Sequence, residues 1–182
     1  MYRFFVGLSV VVGLAGCAST YSIPTSIPSA EIFVTAGNNP SAVTGRSVYL
    51  WAFKDEQCTE SDHGTLAGRS HAFANSALAA SEPQKIAAND KFVFTAGYID
   101  SRFAQNRQCT VTATFVPERG HLYKALIQID DDVTKCGLGI LDVTGGSEKR
   151  VAFAMPKYAC LFNSNIVREN GKPLWTNYVT RR

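Results

Sequence analysis

The sequence predicts an all-β protein, an antiparallel β-sandwich braced by two disulfides. Hydrophobic residues make up 46% of the 182 residues and charged residues 18%, which is enough apolar material to bury one core. The apolar, β-branched and aromatic residues come in short runs that end at turn signals. Four of the five cysteines fall in the body of the chain, and an even set is typical of two disulfides in an exported domain.

The first predicted strands are residues 31–35, 47–53 and 90–96. Each is a short run of apolar and β-branched residues closed by glycine, asparagine or charged residues. The stretch 60–85 is different, because it is rich in Ala and Ser and has only scattered large apolar residues. We expect a short helix or a long loop there.

The clearest strand is predicted at residues 109–115, where cysteine and apolar side chains alternate with three threonines. This period of two is typical of a half-buried strand. A turn at 117–120 follows, and residues 122–130 are predicted to complete a hairpin with 109–115. The last predicted strands are 136–143, its partner 151–155, and 175–180.

The cysteines Cys58, Cys109, Cys136 and Cys160 allow three pairings, and sequence alone does not choose among them. We favour Cys58–Cys109 and Cys136–Cys160, since a partner strand at 151–155 would return Cys160 towards Cys136. A zinc site is disfavoured because no two of these cysteines have the close spacing of zinc ligands. A catalytic thiol is disfavoured because an oxidising compartment converts thiols into bridges.

Residues 1–16 have the layout of an export signal. Arg3 precedes an uncharged apolar run over 4–14, which suits a signal peptide and is shorter than the about 20 residues of a membrane-spanning helix. The run ends at Leu14-Ala15-Gly16-Cys17, which resembles the lipobox of bacterial lipoproteins. The resemblance implies cleavage before Cys17 and acylation of this cysteine, palmitate being the typical amide-linked chain. The alternative is an ordinary signal peptide that leaves Cys17 as a thiol.

The same resemblance implies a location. Ala18, rather than aspartate, follows the lipid site, which in enteric-type sorting implies an outer-membrane lipoprotein whose domain lies in the periplasm. Residues 17–30 are predicted to be the lipidated cysteine and a flexible tether, because the segment is rich in Ser, Thr and Pro and has no charge. Residues 31–182 are the predicted sandwich domain.

A second resemblance concerns the fold. The order Cys109, Pro117, Gly120, Tyr123 and Cys136 is similar to a pattern in small bacterial envelope lipoproteins of immunoglobulin-like or transthyretin-like build. This resemblance implies an immunoglobulin-like or transthyretin-like sandwich. It does not imply any catalytic activity.

Sequence motifs for catalysis or cofactor binding are not evident. The sequence has no G-x-S-x-G elbow, H-E-x-x-H or phosphate-binding loop. His63, His71 and His121 do not have the spacing of a helical metal pair, and we expect each to be exposed or hydrogen-bonded. The run Asp130-Asp131-Asp132 lacks the alternating ligands of a calcium loop, so a solvated hairpin end is expected. We therefore predict no cofactor and no metal.

Two surfaces are candidates for contact with other molecules. Tyr49, Trp51 and Phe53 fall on one face of a predicted strand, where core packing is expected and a binding patch is the alternative. The basic, aromatic stretch 165–182 could contact anionic lipid or glycan, although a solvated strand end explains it as well. A net charge of +3 is too small to indicate a nucleic-acid partner.

The function predicted from the sequence is that of a non-enzymatic envelope lipoprotein, anchored in the membrane by its lipid, that binds another envelope protein or a glycan. Two alternatives of the same class are a lysozyme inhibitor, with residues 59–72 as a protruding loop, and an accessory lipoprotein of a type VI secretion machine, since those lipoproteins resemble transthyretin. A third alternative is a cell-wall or glycan hydrolase, which would require two carboxylates, or a histidine beside a nucleophile, in one cleft.

Overall fold

The computed structural model describes residues 21–38, 45–57, 64–73, 76–102, 105–130, 133–161 and 168–177. Across these residues the chain forms strands and one short 3-10 turn, and no α-helix. The elements are β1 (Ser29–Ala36), β2 (Gly45–Phe53), β3 (Thr65–Phe73), β4 (Gln84–Ala87), β5 (Phe92–Arg102), β6 (Gln105–Phe115), β7 (Leu122–Ile129), β8 (Cys136–Asp142), the 3-10 turn (Thr144–Gly146), β9 (Lys149–Arg150), β10 (Tyr158–Ala159), β11 (Arg168–Glu169) and β12 (Pro173–Asn177).

The strands form two five-stranded sheets. Sheet I has the order β4-β1-β7-β8-β9 and sheet II the order β12-β6-β5-β2-β3, while β10 and β11 make a separate two-stranded ribbon. All pairs are antiparallel except β1 with β7, which is parallel. The predicted all-β class is therefore confirmed, with one parallel pair that the sequence pattern did not predict.

One core lies between the two sheets. Alternate residues of β1 and β7 point inward from sheet I, and alternate residues of β2, β5 and β6 meet them from sheet II, as the period of two requires. An aromatic group closes one end of this core, with ring centroids 5.0 to 6.2 Å apart: Phe92, Phe94, Phe115 and Tyr123. Full burial of such a side chain contributes about 1.5–3 kcal/mol, so this group is a major stabilising element.

The two ends of the sandwich differ in the strands that begin and end there. The near end is where β1, β5 and β7 begin and where β6 stops. The far end is where β1, β5 and β7 stop and where β2 begins. Strand β5 connects the two ends, since its 11 residues run from Phe92 at the near end to Arg102 at the far end.

The outer face of sheet II is covered by the later part of the chain. The backbone of Cys160 spans two strands there, because its carbonyl accepts a hydrogen bond from Thr95 Oγ1 at 2.8 Å and its N–H donates to Thr112 Oγ1 at 2.8 Å. Thr110 and Thr114 are buried beside them. The threonine face of the clearest predicted strand is therefore buried, although its alternation suggested solvent on that side.

Two predictions for the middle of the chain were wrong. In the stretch 60–85, residues 65–73 form β3 and residues 84–85 begin β4, so the expected helix is absent from its described part, and only residues 76–83 form a loop. The predicted hairpin of 109–115 with 122–130 does not form, because β6 belongs to sheet II and β7 to sheet I. The turn between them crosses from one sheet to the other. It is held by a hydrogen bond from the Glu118 N–H to the Tyr123 hydroxyl oxygen at 2.8 Å.

The favoured disulfide pairing was also wrong. Cys109 is bonded to Cys136, so the bridge joins β6 of sheet II to the start of β8 in sheet I. The error follows from the failed hairpin, because Cys109 and Cys136 are brought together only when β6 and β8 lie in facing sheets. Cys160 is also disulfide-bonded, and Cys58 lies outside the described residues.

Two further strand predictions need correction. The expected strand at 151–155 is reduced to an isolated bridge of Ala154 with Thr114, and the partner of β8 is the two-residue β9. The final strand is β12, which pairs with β6 and begins earlier than the predicted 175–180. Residues 178–180 of that prediction lie outside the described residues.

The second half of the predicted tether is folded. Ser29 and Ala30 belong to β1, and Tyr21 is partly buried against the core. The Tyr21 ring meets the Phe92 ring edge-on with centroids 5.9 Å apart. Flexible composition alone was misleading, because one aromatic residue in the segment is enough to dock it.

Candidate binding site at the far end

A charged group lies at the far end, on the inner face of sheet II. Strand β5 places Tyr98, Asp100 and Arg102 on this face in succession from the core to the rim. Asp100 is fully buried, and its neighbours across the sheet are Arg46 on β2 and Arg107 on β6. Directly opposite residues share one face of a sheet. Three arginines therefore surround one carboxylate, and we call these four residues the arginine group.

The pair within this group is Asp100 with Arg102. The Asp100 Oδ2 atom accepts hydrogen bonds from Arg102 Nε at 3.0 Å and from Arg102 Nη2 at 2.9 Å. The Arg102 side chain keeps a quarter of its surface exposed at the rim. A buried carboxylate requires such a partner, since an unpaired buried charge costs several kcal/mol. Arg102 thus joins the buried acid to the surface.

Tyr98 forms the floor of the site. Burial raises the pKa of its hydroxyl to about 12, the Asp100 charge also raises it, and Arg46 and Arg102 lower it. The hydroxyl therefore stays protonated and can donate a hydrogen bond. Within the described part of the chain, neither this hydroxyl nor Asp100 Oδ1 has a hydrogen-bond partner.

The far end also carries an exposed aromatic ring, on the outer face of sheet II. Phe73 ends β3 opposite Gly45, and 71% of its surface is accessible. Its ring stacks edge-on against His71 with centroids 4.5 Å apart. Planar guanidinium groups bind carboxylate or phosphate through two parallel hydrogen bonds, and an aromatic side chain adds apolar contact area. This end can therefore contact a partner that combines anionic and apolar groups.

His71 and His121 form hydrogen bonds, as expected for them. His71 Nδ1 is 2.7 Å from Ser47 Oγ on the outer face of sheet II. His121 Nδ1 is 2.8 Å from Asp142 Oδ2, and its Nε2 is 3.5 Å from Glu118 Oε2. His63 lies outside the described residues. No group of three His, Cys, Asp or Glu side chains within the described ranges is arranged to hold a metal ion.

Asp142 is the most perturbed carboxylate. Desolvation raises the pKa of Asp142, but hydrogen bonds from the hydroxyl and the backbone N–H of Thr144, and then His121, lower it to about 2. The Thr144 hydroxyl also accepts a hydrogen bond from Leu122 N–H at 2.9 Å. Asp142 therefore fixes the turn after β8 against the start of β7. His121 is thus paired with two carboxylates at the near end, and this arrangement holds the turns of that end in place.

Asp130, the first residue of the acidic run, closes a turn. Asp130 Oδ1 accepts hydrogen bonds from the backbone N–H of Thr134 at 2.5 Å and of Lys135 at 3.1 Å. Desolvation raises the pKa of Asp130, but these bonds and one from the Thr134 hydroxyl outweigh it and lower the pKa. This agrees with a hairpin end for Asp130; Asp131 and Asp132 lie outside the described residues.

The aromatic residues of β2 lie on the outer face of sheet II, opposite the core-facing Val48, Leu50 and Ala52. Tyr49 is buried and its hydroxyl oxygen accepts a hydrogen bond from Gln108 Nε2. Trp51 and Phe53 are half-buried. These rings were expected to pack in the core between the sheets. They pack instead on the outer face of sheet II, so the predicted location was wrong.

Two predicted contact surfaces, residues 59–72 and 165–182, are only partly covered by the described residues. The predicted inhibitor loop spans residues 59–72, but residues 65–72 belong to strand β3. The prediction of a protruding loop is therefore wrong for residues 65–72. Of the stretch 165–182, only residues 168–177 are described, and they supply β11 and β12. No helix in the described ranges is long and apolar enough to cross a membrane.

The arginine group was not predicted from the sequence. Its signal was Asp100, which continues the inward alternation of Phe94, Ala96 and Tyr98 in the printed sequence. A charge at an inward position of a strand indicates a buried polar site.

Comparison of the chain with protein-family models, with curated proteins and with solved structures gives no match.

Proposed function

We propose that this protein is a lipid-anchored envelope protein that binds another envelope component through its far end. Cys17 carries the lipid, the anchor lies in the outer membrane, and the domain is periplasmic. The observation that supports binding at this end is the arginine group, in which three arginines flank one fully buried carboxylate on the inner face of sheet II, while Phe73 is exposed on the outer face at the same end.

Stability alone does not account for the arginine group. Well-packed apolar residues commonly stabilise a core as much as a buried ion pair does, or more. Most other positions of the inner face are apolar, with alanine, valine, leucine and phenylalanine side chains. Arginines at one rim and an exposed aromatic ring at the same end are typical of a recognition surface. The partner surface is expected to present carboxylate or phosphate groups.

The test is site-specific photo-crosslinking in the intact envelope. A photoreactive amino acid in place of Phe73 should give a discrete crosslinked product. The same amino acid in place of Glu148, an exposed residue after β8 on the opposite end, should not give that product. Arg102→Gln should reduce the product several-fold, and so should raised salt, because exposed charges are screened.

A further variant separates binding from folding. Arg102→Lys keeps the charge that Asp100 requires but loses the planar fork, so it should fold and still reduce the product. Equal products from positions 73 and 148 would contradict the assignment of the far end. Mass spectrometry of the mature protein tests the anchor, and an N-terminal Cys17 without acyl groups would contradict it.

The arrangement of strands supports the transthyretin-like type of sandwich over the immunoglobulin-like one. The first eight strands are ordered β4-β1-β7-β8 and β3-β2-β5-β6, with β1 and β7 parallel. This matches the general arrangement of transthyretin-like sandwiches, to which β9 and β12 are additions at the sheet edges. We therefore propose a transthyretin-like sandwich. We also propose a second disulfide, between Cys160 and Cys58.

The second disulfide is supported by the position of Cys160. Its Sγ atom is 3.9 Å from the carbonyl oxygen of Asp55, and Asp55 precedes Cys58 by a short distance along the chain. Peptide mapping under non-reducing conditions should recover a Cys58–Cys160 peptide. Recovery of Cys160 bonded to Cys17 would contradict both this bridge and the lipid anchor.

The strand arrangement favours one alternative function, an accessory lipoprotein of a type VI secretion machine, because those lipoproteins resemble transthyretin. If this is the role, deletion of the gene should abolish effector release. Full-length protein should restore release, whereas Cys17→Ser should not. Normal release in the deletion strain would contradict this alternative and leave the general binding function in place.

A further inference from the structure

We propose that the near end of the sandwich rests on the phospholipid headgroups of the membrane that holds the anchor. This inference depends on the proposed lipidation of Cys17 and goes beyond it, because it assigns a face of the domain to the bilayer. A flexible tether would leave every face equally free. The structure indicates instead that the chain is docked on the domain almost immediately after the lipid site.

Tyr21 is the point at which the chain becomes part of the domain. Its N–H donates a hydrogen bond to the Leu66 carbonyl at 3.0 Å, and its own carbonyl accepts one from Gln84 Nε2 at 3.2 Å. Its ring packs against Phe92, the first residue of β5. These contacts connect the segment to both sheets on the near-end side.

The length of chain left over determines the reach of the anchor. Only residues 18–20 lie between Cys17 and Tyr21. Four residue steps span at most about 14 Å. The 11 residues of β5 extend over about 35 Å. The connection is therefore shorter than the domain, and it holds the near end closer to the lipid than the far end.

The near end has side chains that suit contact with a bilayer surface. Ile27 and Val116 are 40% and 58% exposed, and each precedes a proline in a turn of this end. These turns are held together by backbone hydrogen bonds, from Ala88 N–H to the Pro28 carbonyl at 2.8 Å and from Asn89 N–H to the Pro117 carbonyl at 2.7 Å. Two exposed apolar side chains are thus fixed on a rigid surface.

The charges of the near end are mixed. Lys91 forms an ion pair with Glu56 at 3.1 Å, and Arg119 adjoins Glu118 in the next turn. The near end is therefore only weakly attracted to anionic headgroups. Its orientation towards the membrane results from the short connection and from the apolar contacts. The arginine group at the far end is then directed away from the anchor, where a partner can reach it.

The experiment uses full-length lipidated protein in vesicles of phosphatidylethanolamine and phosphatidylglycerol with brominated acyl chains, which quench nearby tryptophan fluorescence. Val116→Trp and Phe73→Trp are the matched variants, since both positions are exposed and lie at opposite ends. The parent protein provides the background of its two native tryptophans. Quenching of the added tryptophan should be several-fold stronger at position 116 than at 73.

A linker insertion tests the cause. Twelve added Gly and Ser residues between Thr20 and Tyr21, a length chosen to exceed the width of the headgroup layer, should reduce quenching at position 116 to roughly that at 73. Unchanged quenching would overturn the role of the short connection. Equal quenching of the two variants with acylated Cys17 would overturn this inference alone. An unacylated Cys17 in the vesicle-bound protein would overturn the anchor and this inference together.

Discussion

The ring of Tyr49 occupies the space that a side chain at position 97 would need. A Cβ atom at Gly97 would lie 2.1 to 2.4 Å from three atoms of that side chain, two ring carbons and the hydroxyl oxygen. Tyr49 in turn is held by Gln108 on the next strand but one. The outer aromatic layer of sheet II therefore depends on one glycine in the middle of β5.

We predict that Gly97→Ala lowers the free energy of unfolding by about 1–3 kcal/mol, because the added methyl group displaces a buried ring. Urea unfolding measures this change. Gly137→Ala in β8 is the matched control, since a Cβ atom there meets nothing within 4 Å. Equal stability of the two variants would contradict the close approach of Tyr49.

The low pKa of Asp142 makes stability depend on acid pH. In the unfolded chain an aspartate titrates near pH 4, whereas in the folded protein the pKa of Asp142 is about 2. Its contribution is therefore complete above about pH 4 and is lost as the pH falls towards 2. After allowance for solvent screening, this contribution is about 1–2 kcal/mol.

Asp142→Asn should remove this part of the pH dependence. We expect the variant to be less stable than the parent at pH 7 and to lose less stability between pH 4 and pH 2. Thermal or urea unfolding at several pH values checks both expectations. Asp90→Asn, at an exposed position, should keep the parent profile. A parent-like acid profile for Asp142→Asn would show that other carboxylates carry the effect.

The site residues show what sequence can and cannot predict. Asp100 could be placed on an inward face from its alternation with Tyr98 and Ala96. Arg46 and Arg107 could not be placed beside it, because their positions depend on the register of three strands. The engagement of His121 with Asp142 likewise depends on where two turns of sheet I meet.

Strand β6 shows how an element near a sheet edge is completed. Its partner β12 covers only the stretch from Gln105 to Cys109. Beyond this, the side chain of Asn170 replaces a strand, since Thr112 N–H donates to Asn170 Oδ1 at 2.9 Å and Asn170 Nδ2 donates to the Thr112 carbonyl at 2.8 Å. The same Nδ2 atom reaches the Pro156 carbonyl at 2.8 Å.

We predict that Asn170→Ala lowers the free energy of unfolding by about 1–3 kcal/mol, because two backbone groups of Thr112 lose their partner. Asn170→Asp is the matched variant, which keeps the acceptor and loses the donor. Hydrogen exchange should show faster exchange of the Thr112 amide in the alanine variant and retained protection in the aspartate variant. Equal exchange in parent and alanine variant would contradict this role.

Strand β3 explains why part of the fold escaped prediction. Among the described strands it pairs only with β2, and the residues opposite the inward-facing Leu50, Val48 and Arg46 are Gly68, Ser70 and Ala72. Small side chains give a weak hydrophobic alternation, so the segment looked like a loop or an Ala-rich helix. Strands β2, β5 and β8 were predictable because large apolar residues mark their inward faces. The β1–β7 pairing joins distant parts of the chain, which local pattern does not specify.

At the scale of the whole molecule, the Cys109–Cys136 bridge fastens one sheet to the other. It joins residues separated by 27 positions, and the chain-entropy model gives about 3.5 kcal/mol for a loop of that size. Both sulfurs lie 3.8 Å from the Gly171 carbonyl, next to the start of β12. The bridge therefore sits where both sheets and the last strand meet.

We predict that Cys109→Ala with Cys136→Ala lowers the free energy of unfolding by about 2–4 kcal/mol, measured by urea unfolding without reductant. Since Cys109 is fully buried, the parent bridge should resist reductant in the folded state and yield only in denaturant. The intact Cys160 disulfide serves as an internal reference in the double variant. An unchanged midpoint would mean that the core already holds the sheets together. Rapid reduction of the folded parent would mean that the sheets separate at this edge.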